Sequence, residues 1–179
     1  MSDDATPFIS MEVVGVRIEM PSNQPIVLLK EIDGARFLPI WVGAAEATAI
    51  AFAQQGINPD RPLTHDLMRD LLQTLDATLL AVQITHLRDG VFFATLQLRT
   101  HEDASLALSA RPSDAIALAL RSQSNIVASR DLVEQVGIEI PERLIQEMDA
   151  DGQPIEAPSA DLEAFREFLD QINPEDFAG

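Results

Sequence analysis

The sequence predicts an α+β fold: a single compact domain with a mixed or antiparallel sheet of hairpins packed by several helices, plus a C-terminal amphipathic helix. Period-two alternation of apolar and polar residues recurs beside hairpin turns at Asp33-Gly34 and Arg88-Asp89-Gly90. Stripes at helical spacing separate and follow these hairpins. The chain has 179 residues, of which 46% are hydrophobic, enough for one core and a tail.

Residues 1–10 read as a lead-in. Residues 11–20 alternate as a strand does, with Val14, Val16, Ile18 and Met20 on one side and Arg17 and Glu19 on the other. Pro21-Ser22-Asn23-Gln24-Pro25 breaks the pattern. Ile26-Val27-Leu28-Leu29 and residues 37–42 then form a hairpin around Asp33-Gly34. Pro39 has no N–H to give a neighbour, so it predicts an edge or a bulge in the second arm. The alanine-rich residues 44–53 are a strong helix former, closed by Gln54-Gln55-Gly56. On that helix Glu46 falls on the side of Ile50 and Ala53, a carboxylate on an apolar surface.

Thr64 is the expected N-cap of the next helix, with Asp66 in its first turn, where the helix dipole favours negative charge. Leu67, Met68, Leu71, Leu72 and Leu75 are expected to form one apolar stripe, with Asp66, Arg69, Asp70 and Gln73 facing away. Leu80, Val82 and Ile84 alternate up to the second hairpin turn, and residues 91–99 return with Phe92, Ala94, Leu96 and Leu98 on one face. Leu106, Leu108 and Ala110 mark a further strand. Residues 113–121 are apolar nearly all round and predict the most buried helix. Ile126-Val127-Ala128 reads as a short buried strand, and Ser129 caps a brief helix ending at Gly137. A helical turn or two is expected within residues 138–148, starting near Pro141. The folded domain therefore spans residues 11–148. Residues 149–158 are an acidic linker, and residues 159–179 a C-terminal helix and tail with Leu162, Phe165, Leu169 and Ile172 on one side.

Composition narrows the function. No apolar run is long and clean enough to span a bilayer, and the acidic start Met1-Ser2-Asp3-Asp4 lacks the features of a signal peptide. Cysteine is absent, which removes disulfides, thiolate nucleophiles and Cys-type zinc sites. A cytoplasmic protein with no membrane role is expected. Twelve basic residues face twenty-nine acidic ones, a formal net charge of -17, and Lys30 is the only lysine. Such a surface repels nucleic acid at long range, leaving phosphate contact to local arginines or a bound cation. No Gly-rich phosphate loop, GxSxG elbow or HExxH is present.

Chemistry concentrates in two related stretches, Arg61-Pro62-Leu63-Thr64-His65-Asp66 and Arg111-Pro112-Ser113-Asp114. Each sets an arginine, a rigid proline, a hydroxyl residue and an aspartate at a helix entry. Adjacent helix residues point about 100° apart, so His65 and Asp66 do not form a dyad with each other. Any joint action needs a third group. The carboxylates Glu46, Asp66, Asp70 and Asp114 with His65 suit Mg²⁺ or Mn²⁺ and proton transfer; Arg61 and Arg111 suit phosphate oxygens. Structural roles account for the same residues: caps for Thr64 and Ser113, first-turn charges for Asp66 and Asp114, and an ion pair for Glu46.

Leu38-Pro39-Ile40-Trp41-Val42-Gly43, Glu46-Ala47, Arg61 through Leu67, and Ala110 through Ala119 together resemble the bifunctional nuclease domain family, over roughly residues 11–141. The resemblance implies a compact α+β domain around a mixed sheet and cleavage of both DNA and RNA. Glu46, Arg61, Thr64, His65, Asp66, Arg111, Ser113 and Asp114 match motif positions with usable chemistry, and that chemistry makes His65, Asp66, Glu46 and Asp114 the expected catalytic residues. Asp66, Glu46 and Asp114 are the expected ligands of a divalent metal, and Arg61, Arg111, Thr64 and Ser113 the expected substrate contacts. The alternative is a non-enzymatic ligand-binding or regulatory module using the same cleft, which suits the acidic surface better. A homo-oligomer is compatible with either.

Overall fold

The structure is a computed structural model that describes residues 7–19 and 22–140. The expected helical turns near Pro141, the acidic linker and the C-terminal amphipathic helix lie outside the described residues. Within them the fold is α+β. Four helices accompany one eight-stranded mixed sheet, in the order β6-β5-β4-β7-β1-β2-β3-β8.

The strands are β1 (Phe8–Glu19), β2 (Gln24–Glu31), β3 (Arg36–Trp41), β4 (Thr78–Arg88), β5 (Val91–Arg99), β6 (Ser105–Ala110), β7 (Asn125–Ser129) and β8 (Ile138–Glu139). The helices are α1 (Ala44–Gln54), α2 (Thr64–Thr74), α3 (Pro112–Ser122) and α4 (Arg130–Val136). Both predicted hairpins form, β2 with β3 and β4 with β5. The β4–β5 turn places Asp89 and Gly90 at φ of 51° and 74°, the two left-handed positions that match the twist of a tight hairpin. Pairing of β7 with β4 is parallel and makes the sheet mixed.

β1 begins at Phe8, earlier than the alternation from Met11 indicates, because residues 8–11 pair with β7. Its two faces also exchange part-way. A bulge between Val13 and Gly15 shifts the register, and one inserted residue turns every later side chain to the opposite face. After the bulge Val16 and Ile18 stand opposite Val27 and Pro25, on the face that carries Leu29; Ile18 is exposed near the end of the strand, and Glu19, on the other face, is buried. The Glu19 carboxylate accepts hydrogen bonds from Ser22 Oγ at 2.7 Å and Trp41 Nε1 at 3.3 Å. Pro39 pairs with Leu28 of β2, while β8 reaches only Arg36 and Phe37. Among the described residues the outer side of β3 is therefore unpaired at Pro39, which has no N–H to give there.

One core cluster joins the sheet to the helices. α3 is the most buried helix, with Ala115 through Ala119 at 0–1% exposure. It packs on α1, α2, β4 and β5, and its alternating alanines let the neighbouring backbones approach closely. The short β-turn-β units and alanine-rich helices therefore bring the N-terminal ends of α1, α2 and α3 together.

α2 departs from the expected orientation. Leu67, Leu71 and Leu75 are exposed, while His65 and Asp66 are buried and only Met68 and Leu72 pack on the core. Ion pairs at the start of the helix set its rotation, and they outweigh the leucine stripe. Leu63, not Thr64, is the N-cap, with Thr64 the first helical residue. Leu63 has no side-chain acceptor; instead Asp66 reaches back to accept the Leu63 N–H at 3.0 Å, which is half of a capping box. α3 likewise starts at Pro112 with Arg111 as N-cap, so Ser113 lies inside the first turn without a side-chain capping bond. Proline suits that position because its absent N–H would be unpaired there anyway.

Candidate active site

The first turns of α1, α2 and α3 place Glu46, His65 and Asp114 around the guanidinium of Arg111. Arg111 gives Nε–H to Asp114 Oδ2 at 2.7 Å and Nη2–H to Asp114 Oδ1 at 3.1 Å. The same Nη2 lies 2.9 Å from Glu46 Oε1. Asp114 Oδ1 also meets His65 Nε2 at 3.0 Å. Four of the residues expected from sequence thus form one continuous chain, Glu46–Arg111–Asp114–His65.

Burial is graded along this chain. The side chain of His65 is 9% exposed and that of Asp114 26%, whereas Arg111 is 67% exposed. Burial alone raises the Asp114 pKa, but hydrogen bonds from Arg111 and His65 and their charges outweigh it and hold the carboxyl below its usual value. Bonds and charge from Asp114, and then the Glu46 charge, push Arg111 up. An ionised carboxylate only accepts, so the proton in the His65 bond resides on Nε2. Gly43, the N-cap of α1, allows Glu46 to fold back; a Cβ there would collide with the Glu46 carboxylate.

Asp66 belongs to a second network. Its Oδ1 accepts from Arg121 Nε at 2.6 Å, and its Oδ2 from the Leu63 N–H. Arg121 Nη1 also donates to the carbonyls of Ala49 and Ala117, at 2.9 and 3.0 Å. Arg121, whose side chain is 5% exposed, therefore ties α1, α2 and α3 into one unit. Burial raises the Asp66 pKa, but the Arg121 and Leu63 bonds and the charges of Arg121 and Arg69 prevail, and the net shift is downward. Arg121 was not singled out from the sequence. The available signal was a lone cation ending the apolar run Ala115 through Leu120, where an arginine needs a buried acceptor.

The expected ligands Asp66, Glu46 and Asp114 do not surround a common point. Both Asp66 oxygens are engaged elsewhere, and the space between Glu46 and Asp114 is filled by Arg111. Among the described residues no group of three His, Asp or Glu side chains has metal-binding geometry. This donor set does not fit a resident Mg²⁺ or Mn²⁺ without displacing Arg111. Arg61 and Thr64 are exposed, and neither joins the Arg111 network.

Arg111 stands at a cleft of about 520 Å³ lined by Trp41, Phe92, Val91, Pro25, Ser113 and Gln24, among others. The cleft is open and its lining mixes aromatic and aliphatic side chains with Asn23, Gln24, Arg111 and Ser113, the kind of groups that fix a small ligand's orientation. Among the described residues no helix is long and apolar enough to cross a membrane.

The sequence profile of the bifunctional nuclease domain matches residues 27–141, more than half of the chain. The chain belongs to the bifunctional nuclease domain family. The matched segment contains every residue of the Glu46–Arg111–Asp114–His65 chain. The uncharacterised protein Rv1829 of Mycobacterium tuberculosis is 45% identical over 168 residues, covering 93% of this chain and 96% of that protein. Bifunctional nuclease 1 of Oryza sativa subsp. japonica is 25% identical over 128 residues. That match covers 70% of this chain but only 39% of the rice protein. The relative named as a nuclease is thus the more distant, and this bifunctional nuclease domain corresponds to part of it.

Proposed function

We propose that this chain hydrolyses phosphodiester bonds of DNA and RNA in the cleft beside Arg111. The observation that carries the reading is the joining of His65, Asp114 and Arg111 into one hydrogen-bonded unit whose arginine lines an open cleft. Membership of the bifunctional nuclease domain family supports the same reaction class.

In this reading Asp114 holds the His65 tautomer with Nδ1 basic. His65 Nδ1 removes a proton from water as the water oxygen attacks phosphorus. The bond from phosphorus to the leaving sugar oxygen breaks, and the imidazolium returns its proton to that oxygen. Arg111 retains N–H groups not used by Glu46 or Asp114 and directs them at the non-bridging oxygens, where negative charge grows. Ser113 lines the same cleft and gives a hydroxyl to the phosphate; the exposed Thr64 and Arg61 contact the strand further along. Glu46 fixes Arg111, and Asp66 acts through Arg121 by positioning α2. No step runs through a metal ion, because the carboxylates do not fit one as arranged.

Purified protein and Asp114→Asn, incubated with single-stranded DNA and RNA with and without chelator, test the reading. Cleavage by the wild type alone, unchanged by chelator, supports it. Loss of wild-type activity on chelation would mean that Glu46 and Asp114 exchange Arg111 for a cation. A second reading, a non-catalytic module for a small anion, draws on the neutralisation of Arg111 by two carboxylates in a chain of net charge -17. Oligonucleotide binding without turnover would favour it.

A further inference from the structure

Among the described residues β6 is an outermost strand of the sheet, with no further strand paired to it. Five of its six residues are exposed, including Leu106 at 52% and Leu108 at 55%, and none is charged. Natural sheets blunt such edges with lysine, proline, a bulge or a covering element, and β6 carries no lysine or proline and pairs with β5 in unbroken register.

The direction of its free backbone groups follows from the β5–β6 ladder. Thr100 donates its N–H to the Ala104 carbonyl at 3.0 Å, the bonded pair that opens the hairpin. Bonded and non-bonded pairs alternate along an antiparallel ladder. Leu106 and Leu108, opposite Leu98 and Leu96, therefore spend their backbone groups on β5. Ser105, Ala107 and Ser109 turn theirs outward.

The stretch Ser105-Leu106-Ala107-Leu108-Ser109 reads the same in both directions about Ala107. We propose that β6 pairs antiparallel with β6 of a second copy about a twofold axis at Ala107, joining the two sheets into one. Ala107 then exchanges backbone bonds with its mate, and Ser105 does so with Ser109 of the other copy. Every outward N–H and C=O of these residues is satisfied. Leu106 faces Leu108 across the axis, on the side that carries the buried Leu96 and Leu98, so the apolar layer continues through the junction. Such self-complementarity is what a twofold interface demands.

Charge also selects a second copy. Two chains of net charge -17 repel each other over most of their surfaces and can approach best through an uncharged strip. A single strand pair with its leucines lies at the small end of specific interfaces, so the dimer dissociates on dilution and strengthens with added salt.

Sedimentation or light scattering over a wide concentration range tests this. The mass is expected to rise from 19.6 kDa towards twice that value in the wild type. Ala107→Pro removes an outward N–H without touching the β5 ladder, and Leu108→Glu places like charges at the axis. Both variants are expected to remain monomeric at every concentration; Leu108→Glu carries the test if Ala107→Pro does not fold. In this cysteine-free background, Ala107→Cys is expected to form a covalent dimer on mild oxidation. A wild type that stays monomeric throughout overturns the proposal and leaves the edge to a strand of another protein. A dimer that persists unchanged in folded variants overturns it equally.

Discussion

His65 and Asp114, 49 residues apart in sequence, meet at 3.0 Å because Asp66, the neighbour of His65, is clamped by Arg121 on the same helix as Asp114. Asp114 and Arg121 are seven residues apart and so lie about 10 Å apart along α3. Consecutive residues of α2 reach these two points. The clamp sets the rotation of α2, and that rotation delivers the imidazole.

Arg111 is expected to act on the developing phosphoryl charge. Arg111→Ala should lower kcat/KM for oligonucleotide cleavage by about 100-fold or more. Arg111→Lys keeps the charge but loses the bidentate grip on Asp114, and should recover only part of the activity. Steady-state kinetics on single-stranded substrates checks both; wild-type rates in Arg111→Ala would remove it from the reaction.

The Asp66–Arg121 clamp is expected to contribute to stability. Arg121→Leu leaves the Asp66 carboxylate buried and unpaired, which costs about 3–5 kcal/mol in comparable buried pairs and should appear as a lower urea midpoint. Because the folded pKa of Asp66 is depressed, its contribution is complete above the ordinary aspartate range and is lost as pH falls through the folded value. Asp66→Asn should therefore be less stable than the wild type at neutral pH, with the gap closing in acid. Urea titrations across that pH range measure it; a gap that stays constant with pH would contradict the clamp.

Much of this arrangement was legible in the sequence, and the exceptions have physical causes. The hairpins and the buried α3 follow from periodicity, since one core fixes which faces turn inward. Glu46, Arg111, Asp114 and His65 were recognisable as residues with usable chemistry. Their linkage was not, because it depends on how three helix entries meet. Periodicity gave no sign of the bulge at Gly15, nor of the buried Glu19, which is held by Ser22 and Trp41. It also favoured the leucines of α2 over His65 and Asp66, because hydrophobic spacing takes no account of a buried ion pair formed with a distant helix. Arg121 went unnoticed for the same reason.

Trp41 is the only tryptophan in the chain and lines the cleft. A nucleotide entering the cleft is expected to stack on its aromatic walls and quench its fluorescence. Titration of short single-stranded oligonucleotides should give saturable quenching that weakens with salt, as phosphate contacts do. Unchanged emission under conditions where cleavage proceeds would place the substrate elsewhere.

The most direct test of the central claim is the cleavage rate of single-stranded DNA and RNA by His65→Gln beside the wild type, with thermal unfolding of both recorded. Glutamine retains a hydrogen-bonding side chain towards Asp114 but supplies no basic nitrogen. The account predicts a loss of about 100-fold to 10,000-fold on both substrates, in a variant that remains folded. Cleavage by folded His65→Gln at the wild-type rate would contradict it.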